Sequence, residues 1–170
     1  MPFTYKKVLV IGATSGIGEA LAKRIISTGA HVIAVGRRRD RLEALAQDQG
    51  KDHVSMDTFD ITDLKSIPAF ADRITAAHPD LDCVLMNSGI QRSINFAKPD
   101  SIDFGSVATE LNTNYLAYVH LTAAFIPILE MQAQKTAASL MYTTSSLALV
   151  PITRCPNYCA SKAALHHFIL

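Results

Sequence analysis

Tyr158 and Lys162 stand four residues apart near the end of the chain, in Tyr158-Cys-Ala-Ser-Lys162, a stretch with helical patterning. On a helix that spacing projects both side chains from one face, so a phenol and an ammonium can act as a unit. A free phenol titrates near pH 10, and bringing it to about 7 takes roughly 4 kcal/mol of preferential stabilisation of its anion. A neighbouring ammonium pushes that way, and so would a cationic ring held nearby. Such a tyrosine can protonate a carbonyl oxygen, or accept the proton of an alcohol in the reverse direction. A second chemically pointed stretch lies at the other end. Val8-Leu-Val-Ile-Gly-Ala-Thr-Ser-Gly-Ile-Gly18 is an apolar run that breaks into three glycines before a helical pattern begins. Gly12, Gly16 and Gly18 allow a tight turn and close backbone approach. A helix starting near Gly16 offers free N–H groups and the positive end of its dipole to an anion. The spacing is G-x-x-x-G-x-G rather than G-x-G-x-x-G, and no lysine follows the glycines as a P-loop would require.

The two motifs in this order resemble the short-chain dehydrogenase/reductase family, whose first motif is T-G-x-x-x-G-x-G; here Ile11 stands where the threonine is usual. The resemblance runs from about Lys6 to Leu170. It implies that Gly12, Thr14, Ser15, Gly16, Ile17 and Gly18 face a nicotinamide cofactor, and that Lys162 binds the nicotinamide ribose as well as supporting Tyr158. It places Asp60, in Phe-Asp-Ile61, against the adenine amino group, although a turn or capping role is equally open to that residue. Asn87-Ser88-Gly89 resembles the end of the family's N-N-A-G; Met86 replaces the first asparagine, which removes an amide that stabilises the sheet, while Asn87 and Gly89 remain. Ser145 precedes Tyr158 by thirteen residues, the family's place for a serine that hydrogen-bonds the substrate oxygen, with Ser146 as the competing assignment. Asn114 matches a helix asparagine that supports a water link to the lysine, and Asn112 would face another way. A serine nucleophile is disfavoured, because neither serine lies in G-x-S-x-G.

Arg37 lies about 20 residues past the glycines, where an acid would hold the ribose hydroxyls of NAD and an arginine a 2′-phosphate. The expected cofactor is therefore NADP rather than NAD. Asp40 keeps an NAD reading open, and Ser15 is not the basic residue that many NADP-using members carry there. Adjacent His166 and His167 diverge around a helix and belong to its surface or an interface, not to a metal site.

The elements that must position these groups can be read from periodicity. Strands are expected at Lys7 to Ile11, His31 to Val35, His53 to Met56, Asp82 to Met86 and Ala138 to Thr143. Helices are expected from Gly16 to Thr28, with Ile17, Leu21 and Ile25 in register, then after Arg41 with Leu42 and Leu45 inward. A third follows Thr62 with Leu64, Ile67, Phe70 and Ile74, and Pro68 within its first two turns. One long helix, apolar on all sides and kinked at Pro127, should run from about Phe104 to Gln134, and a last one from Pro156 to Leu170. Strands alternating with helices predict one α/β domain over residues 1–170: a doubly wound, Rossmann-like parallel sheet, five strands in order 3-2-1-4-5, helices on both faces. By the resemblance, the last strands of the family fold are expected to be missing from these residues.

Composition bounds the function. The chain has 170 residues, is 49% hydrophobic and carries a formal net charge of only +1, which argues against nucleic-acid or anionic-membrane partners. The expected partner is a small carbonyl or alcohol substrate. Three cysteines without metal-ligand spacing fit a reducing compartment, and no signal-peptide run or apolar run of about 18 residues is seen, so a soluble, cytoplasmic protein is expected. By resemblance, the helices at 104–134 and 156–170 would pair in a homo-oligomer. Leu165 to Leu170 continues an apolar helical pattern without a Gly or Pro stop, so a C-terminally truncated chain of low activity is expected. The expected reaction is hydride transfer between NADP(H) and a carbonyl or alcohol; the alternatives are a catalytically weak dinucleotide-binding or dimerising module and a sugar-nucleotide epimerase.

Overall fold

The computed structural model describes residues 3–170. Five parallel strands, β1 (Lys7–Ile11), β2 (His31–Gly36), β3 (Val54–Thr58), β4 (Cys83–Met86) and β5 (Ser139–Tyr142), form one sheet in the order β3-β2-β1-β4-β5. The register runs Lys7↔His31 to Ile11↔Val35 on one side of β1 and Val8↔Cys83 to Ile11↔Met86 on the other. Strand order reverses between β1 and β4, so the loops leaving these two strands part and leave a crevice at their carboxyl ends.

Alternation along the strands divides the core in two. Val8, Val10, Val32, Ala34 and Cys83 meet Ala22, Ile25 and Ile26 of α1 (Gly16–Ile26) and Leu42 and Leu45 of α2 (Arg39–Gln49) on one face. Leu9, Ile11, Ile33, Val84 and Met86 meet the other helices on the opposite face: α3 (Ile67–Ala77) through Phe70 and Ile74, α5 (Ala117–Ala133) through Tyr118, Leu121 and Phe125, and α6 (Pro156–Phe168) through Leu165. The inner strands β1 and β4 are buried almost throughout, whereas every residue of the edge strand β5 is only half-buried. Met86, in place of a family asparagine, is fully buried among apolar neighbours, so its position is filled by packing rather than by an amide.

Several expected elements are adjusted. Helix α1 ends at Ile26 rather than Thr28, because Ser27 caps it and Gly29 turns away at φ +90°. Its buried stripe is Gly18, Ala22, Ile25 and Ile26; Ile17 is 66% exposed. The third helix begins as a 3₁₀ turn, Leu64–Ser66, with Pro68 in the first turn of α3, where no N–H is needed. The long helix expected over 104–134 is three pieces: α4 (Phe104–Leu111), a π turn (Asn112–Leu116) and α5. The extra residue in the π turn rotates the register and brings Thr113 and Asn114 inward. Pro127 lies inside α5 without ending it. By length and composition the run Phe104–Ala133 is also apolar enough to span a membrane, contrary to the sequence expectation. In the fold its inner face is the wall of the sheet core, where Tyr118, Leu121 and Phe125 are fully buried.

Candidate active site

The glycine loop is set by contacts that only glycine permits. The amides of Gly12 and Ala13 both donate to the Val35 carbonyl, at 2.8 and 3.0 Å, which straps the loop to the end of β2. Gly12 has φ +95°, and a Cβ there would lie 2.7–2.9 Å from Ser88. A Cβ on Gly18 would lie 2.0 Å from the Gly12 carbonyl oxygen, so the first turn of α1 sits directly on the strand end. Gly16, at φ +57°, has nothing within 4 Å of its would-be Cβ and is exposed, between Ser15 and Ile17, which line the crevice. The loop therefore presents a helix N-terminus to open space, as an anion site requires.

Arg38 closes the loop from the far side, a role the sequence reading did not assign. Its Nη2 donates to Thr14 Oγ1 at 2.7 Å and to Ser15 Oγ at 2.5 Å, and its Nε reaches Thr14 Oγ1 at 3.2 Å. The signal available in sequence was a second arginine at the helix N-cap after Gly36, indistinguishable there from a solvated helix start. Arg37, the expected phosphate ligand, lies 3.5 Å from Asp60 and is largely exposed. Asp60 also accepts from the Thr62 amide and hydroxyl at 3.0 and 2.8 Å. Burial works to raise its carboxyl, but the Thr62 hydrogen bonds and the Arg37 charge hold it below the ordinary range. Both arginines and Asp60 line the crevice.

Asn87 joins the two halves of the crevice. Its Nδ2 lies 3.5 Å from the Gly12 carbonyl oxygen, and its Oδ1 accepts from Thr143 Oγ1 at 3.2 Å at the end of β5. The Thr143 carbonyl in turn accepts from Lys162 Nζ at 2.9 Å. Lys162 is 2% exposed, and its Nζ lies 5.5 Å from the Tyr118 ring centre and 5.9 Å from that of Tyr158. Burial lowers its pKa to about 8. Tyr118, donating to the Ser88 carbonyl, is pushed the other way, its pKa raised by burial. Tyr158, Lys162 and Ser145 all line the same crevice as Gly12, Asn87 and Gly89, with a cavity volume of about 570 Å³. Ser145 Oγ accepts from the Leu147 amide at 3.2 Å as the cap of a short 3₁₀ turn, and Ser146 is turned away and exposed.

Gly18 and Asn114 lie behind the wall instead of on it, and Gly16 is exposed beside the crevice without lining it. Asn114 is fully buried; its Oδ1 accepts from the Ile90 amide at 2.9 Å, and its Nδ2 donates to the Ile90 carbonyl at 2.8 Å and to Ser161 Oγ at 3.0 Å. Gly89 sits just in front, where a Cβ would come within 3.4 Å of Asn114 Oδ1 and 3.8 Å of Lys162 Nζ. Asn112 faces elsewhere, its Nδ2 donating to the Thr62 carbonyl at 3.3 Å. The three cysteines are buried and unpaired, with the Cys83 thiol pushed up to about 12 by burial. His166 and His167 lie in the last turn of α6, ring centres 6.0 Å apart, and among the described residues no cluster of His, Cys, Asp and Glu could hold a metal ion.

The doubly wound sheet, with the glycine loop at its switch point and the Tyr-Lys pair on one wall, is a Rossmann-like α/β fold. The chain belongs to the short chain dehydrogenase family, whose model matches residues 6–170. It is similar to the uncharacterized oxidoreductase DltE of Bacillus subtilis, 36% identical over 170 residues, all of this chain and 65% of that protein. It also resembles the NADP-dependent 3-hydroxy acid dehydrogenase YdfG of Salmonella typhi, at 29% identity over 96% of this chain and 63% of that one. A short chain dehydrogenase of Shigella flexneri, solved in complex with NADP, superimposes with a TM-score of 0.86 at 26% identity, over 98% of this chain and 70% of that one. The chain spans 52–65% of the length of the curated relatives it matches.

Proposed function

We propose that the protein transfers a hydride between NADP(H) and a carbonyl or alcohol carbon, with Tyr158 as the general acid/base. The observation that carries this reading is that Tyr158 and Lys162 face the same crevice as the glycine loop, with the Lys162 ammonium anchored on the Thr143 carbonyl. The residues fit the cofactor: Gly12 and Gly18 leave no room for side chains, while Gly16 opens the helix N-terminus to a pyrophosphate. Arg37 and Arg38 would hold a 2′-phosphate, Asp60 the adenine edge and Lys162 the nicotinamide ribose. When bound, the nicotinamide supplies or accepts the hydride. In the reductive direction the Tyr158 hydroxyl donates its proton to the substrate oxygen, Ser145 Oγ hydrogen-bonds the same oxygen, and the Lys162 ammonium favours the phenolate that remains.

NADP is favoured over NAD because three arginines follow directly on Gly36 at the tip of β2, before the first acid at Asp40. The NADP dependence of the YdfG relative and the NADP bound in the Shigella structure support that choice. A homo-oligomer is supported by apolar side chains left exposed on the outer helices, Phe104, Ile126, Met131 and Phe168. Titration of the chain with NADPH and NADH, followed by a screen of carbonyl compounds for NADPH oxidation, tests the reading. NADPH should bind at least about tenfold more tightly, a difference of about 1.4 kcal/mol. Equal affinities, or a preference for NADH, would overturn the phosphate assignment. A second reading is a dinucleotide-binding module without turnover. Binding of NADPH with no oxidation across the screen selects it.

A further inference from the structure

Behind the tyrosine wall lies a buried carboxylate that the proposed chemistry does not use. Glu110, on α4, is 1% exposed, and its two oxygens accept from the Arg92 amide at 3.0 Å and from Asn157 Nδ2 at 2.7 Å. Asn157 also donates to the Val107 carbonyl at 3.1 Å. No cation lies within ion-pair distance of Glu110 among the described residues; the Arg92 guanidinium goes to the Ser106 carbonyl instead. Burying a carboxyl that only neutral donors hold carries a desolvation cost. What Glu110 offers is geometry.

Glu110 and Asn114 stand four residues apart and face the same two neighbours. Each takes one backbone amide of the loop after β4, Arg92 and Ile90 respectively. Each also holds one residue of α6, Asn157 and Ser161, again four apart. Asn157 immediately precedes Tyr158, and Ser161 immediately precedes Lys162. Two rungs thus fix the helix that carries both reactive side chains against the loop that faces them. The loop is further pinned by Gln91 Nε2 on Cys155 Sγ at 3.0 Å and by the Ile94 amide on the Arg154 carbonyl at 3.1 Å. Both groups reaching Glu110 are donors, so the site needs an acceptor-only side chain. A glutamine would turn an N–H toward one of them.

We propose that Glu110 is a positioning residue: it registers the first turn of α6 against the Ile90–Ile94 loop and so sets where the Tyr158 hydroxyl meets substrate. This rests on the reading of Tyr158 as the acid/base, and the experiment separates the two. In E110Q and E110A, alkylation of Cys155, 1% exposed beneath Gln91, is followed site by site by mass spectrometry against Cys83, fully buried in β4. Cys155 should react about tenfold faster while Cys83 is unchanged, with E110A affected more than E110Q. Relative to the unsubstituted protein, E110Q should show kcat about tenfold lower with KM for NADPH within twofold. Parallel acceleration of both thiols would make Glu110 a residue of general stability and overturn the proposal, as would an unchanged Cys155 rate or faster Cys155 labelling with unaltered kcat. If the unsubstituted protein turns over no carbonyl compound, the acid/base reading fails. The thiol arm still decides the proposal, faster Cys155 with steady Cys83 supporting it and any other pattern overturning it.

Discussion

The crevice has two walls built in opposite ways. The glycine wall rests on β1 and β2, whose residues are almost all buried between two layers of helix, and its shape is fixed by backbone contacts such as Gly18 on the Gly12 carbonyl. The tyrosine wall rests on an edge strand with one neighbour and on a helix tied down by side chains, Lys162 on Thr143, Asn114 on Ser161 and Glu110 on Asn157. On the proposed function, cofactor binding would be lodged in the more deeply buried part of the fold. The chemistry would be lodged where single side chains decide the alignment.

The sharpest test of that division is Tyr158→Phe, which removes one proton donor and leaves the ring. Hydride transfer should fall by about 10³-fold or more, with NADPH affinity unchanged within twofold, as read by kcat and fluorescence titration. Loss of cofactor binding in this variant would show that the walls are not separable. Gly18→Ala attacks the other wall: a Cβ 2.0 Å from a carbonyl oxygen forces the helix off the strand. Thermal unfolding should report a loss of about 3 kcal/mol, and NADPH binding should drop with it. An unperturbed melting curve would mean that the loop is softer than its contacts imply. Arg38→Ala should cost about tenfold in NADPH affinity and little in NADH affinity, because it removes a charge and frees Thr14 and Ser15. Equal losses with both cofactors would make Arg38 a brace for the loop alone.

The smallest effect concerns pH. Lys162 loses its proton near pH 8 in the fold, against an ordinary value of 10.5, so the unfolded chain holds that proton more tightly. Burying the ammonium opposes folding below about pH 8, and stability from this group rises as pH climbs from 8 toward 10.5. Cofactor affinity should move the opposite way, weakening several-fold above pH 8 as the ammonium is lost, and Lys162→Met should flatten both trends. A binding profile of unsubstituted protein that is level from pH 7 to 9.5 would remove the ammonium from the cofactor site.

How much of this was legible depended on whether the requirement is local. Three glycines report a backbone need in the very residues that meet it, and i,i+4 spacing of Tyr158 and Lys162 states a shared face, so both walls could be located from sequence. The alternation of elements pointed to a doubly wound parallel sheet, and the order of its strands came with the family resemblance. The π turn did not announce itself, because one extra residue hardly disturbs an apolar pattern 30 residues long. Arg38 reaches back 24 residues to Thr14, and Glu110 reaches 47 residues forward to Asn157; neither distance leaves a mark on periodicity. Ile17 was drawn into the helix stripe by its hydrophobicity, although it sits at the mouth of the crevice, where an apolar surface has other uses.

The sheet order has a consequence in time. During synthesis β1, β2 and β3 emerge in sequence and can pair with one another at once, but the second edge of β1 has no partner until residues 83–86 arrive. The crevice lies at that late seam, so the loop exists before the pocket does. A nucleotide that recognises the closed seam cannot guide the early steps. It acts as a latch on the finished sheet, slowing unfolding in proportion to its occupancy and leaving the rate of folding almost untouched.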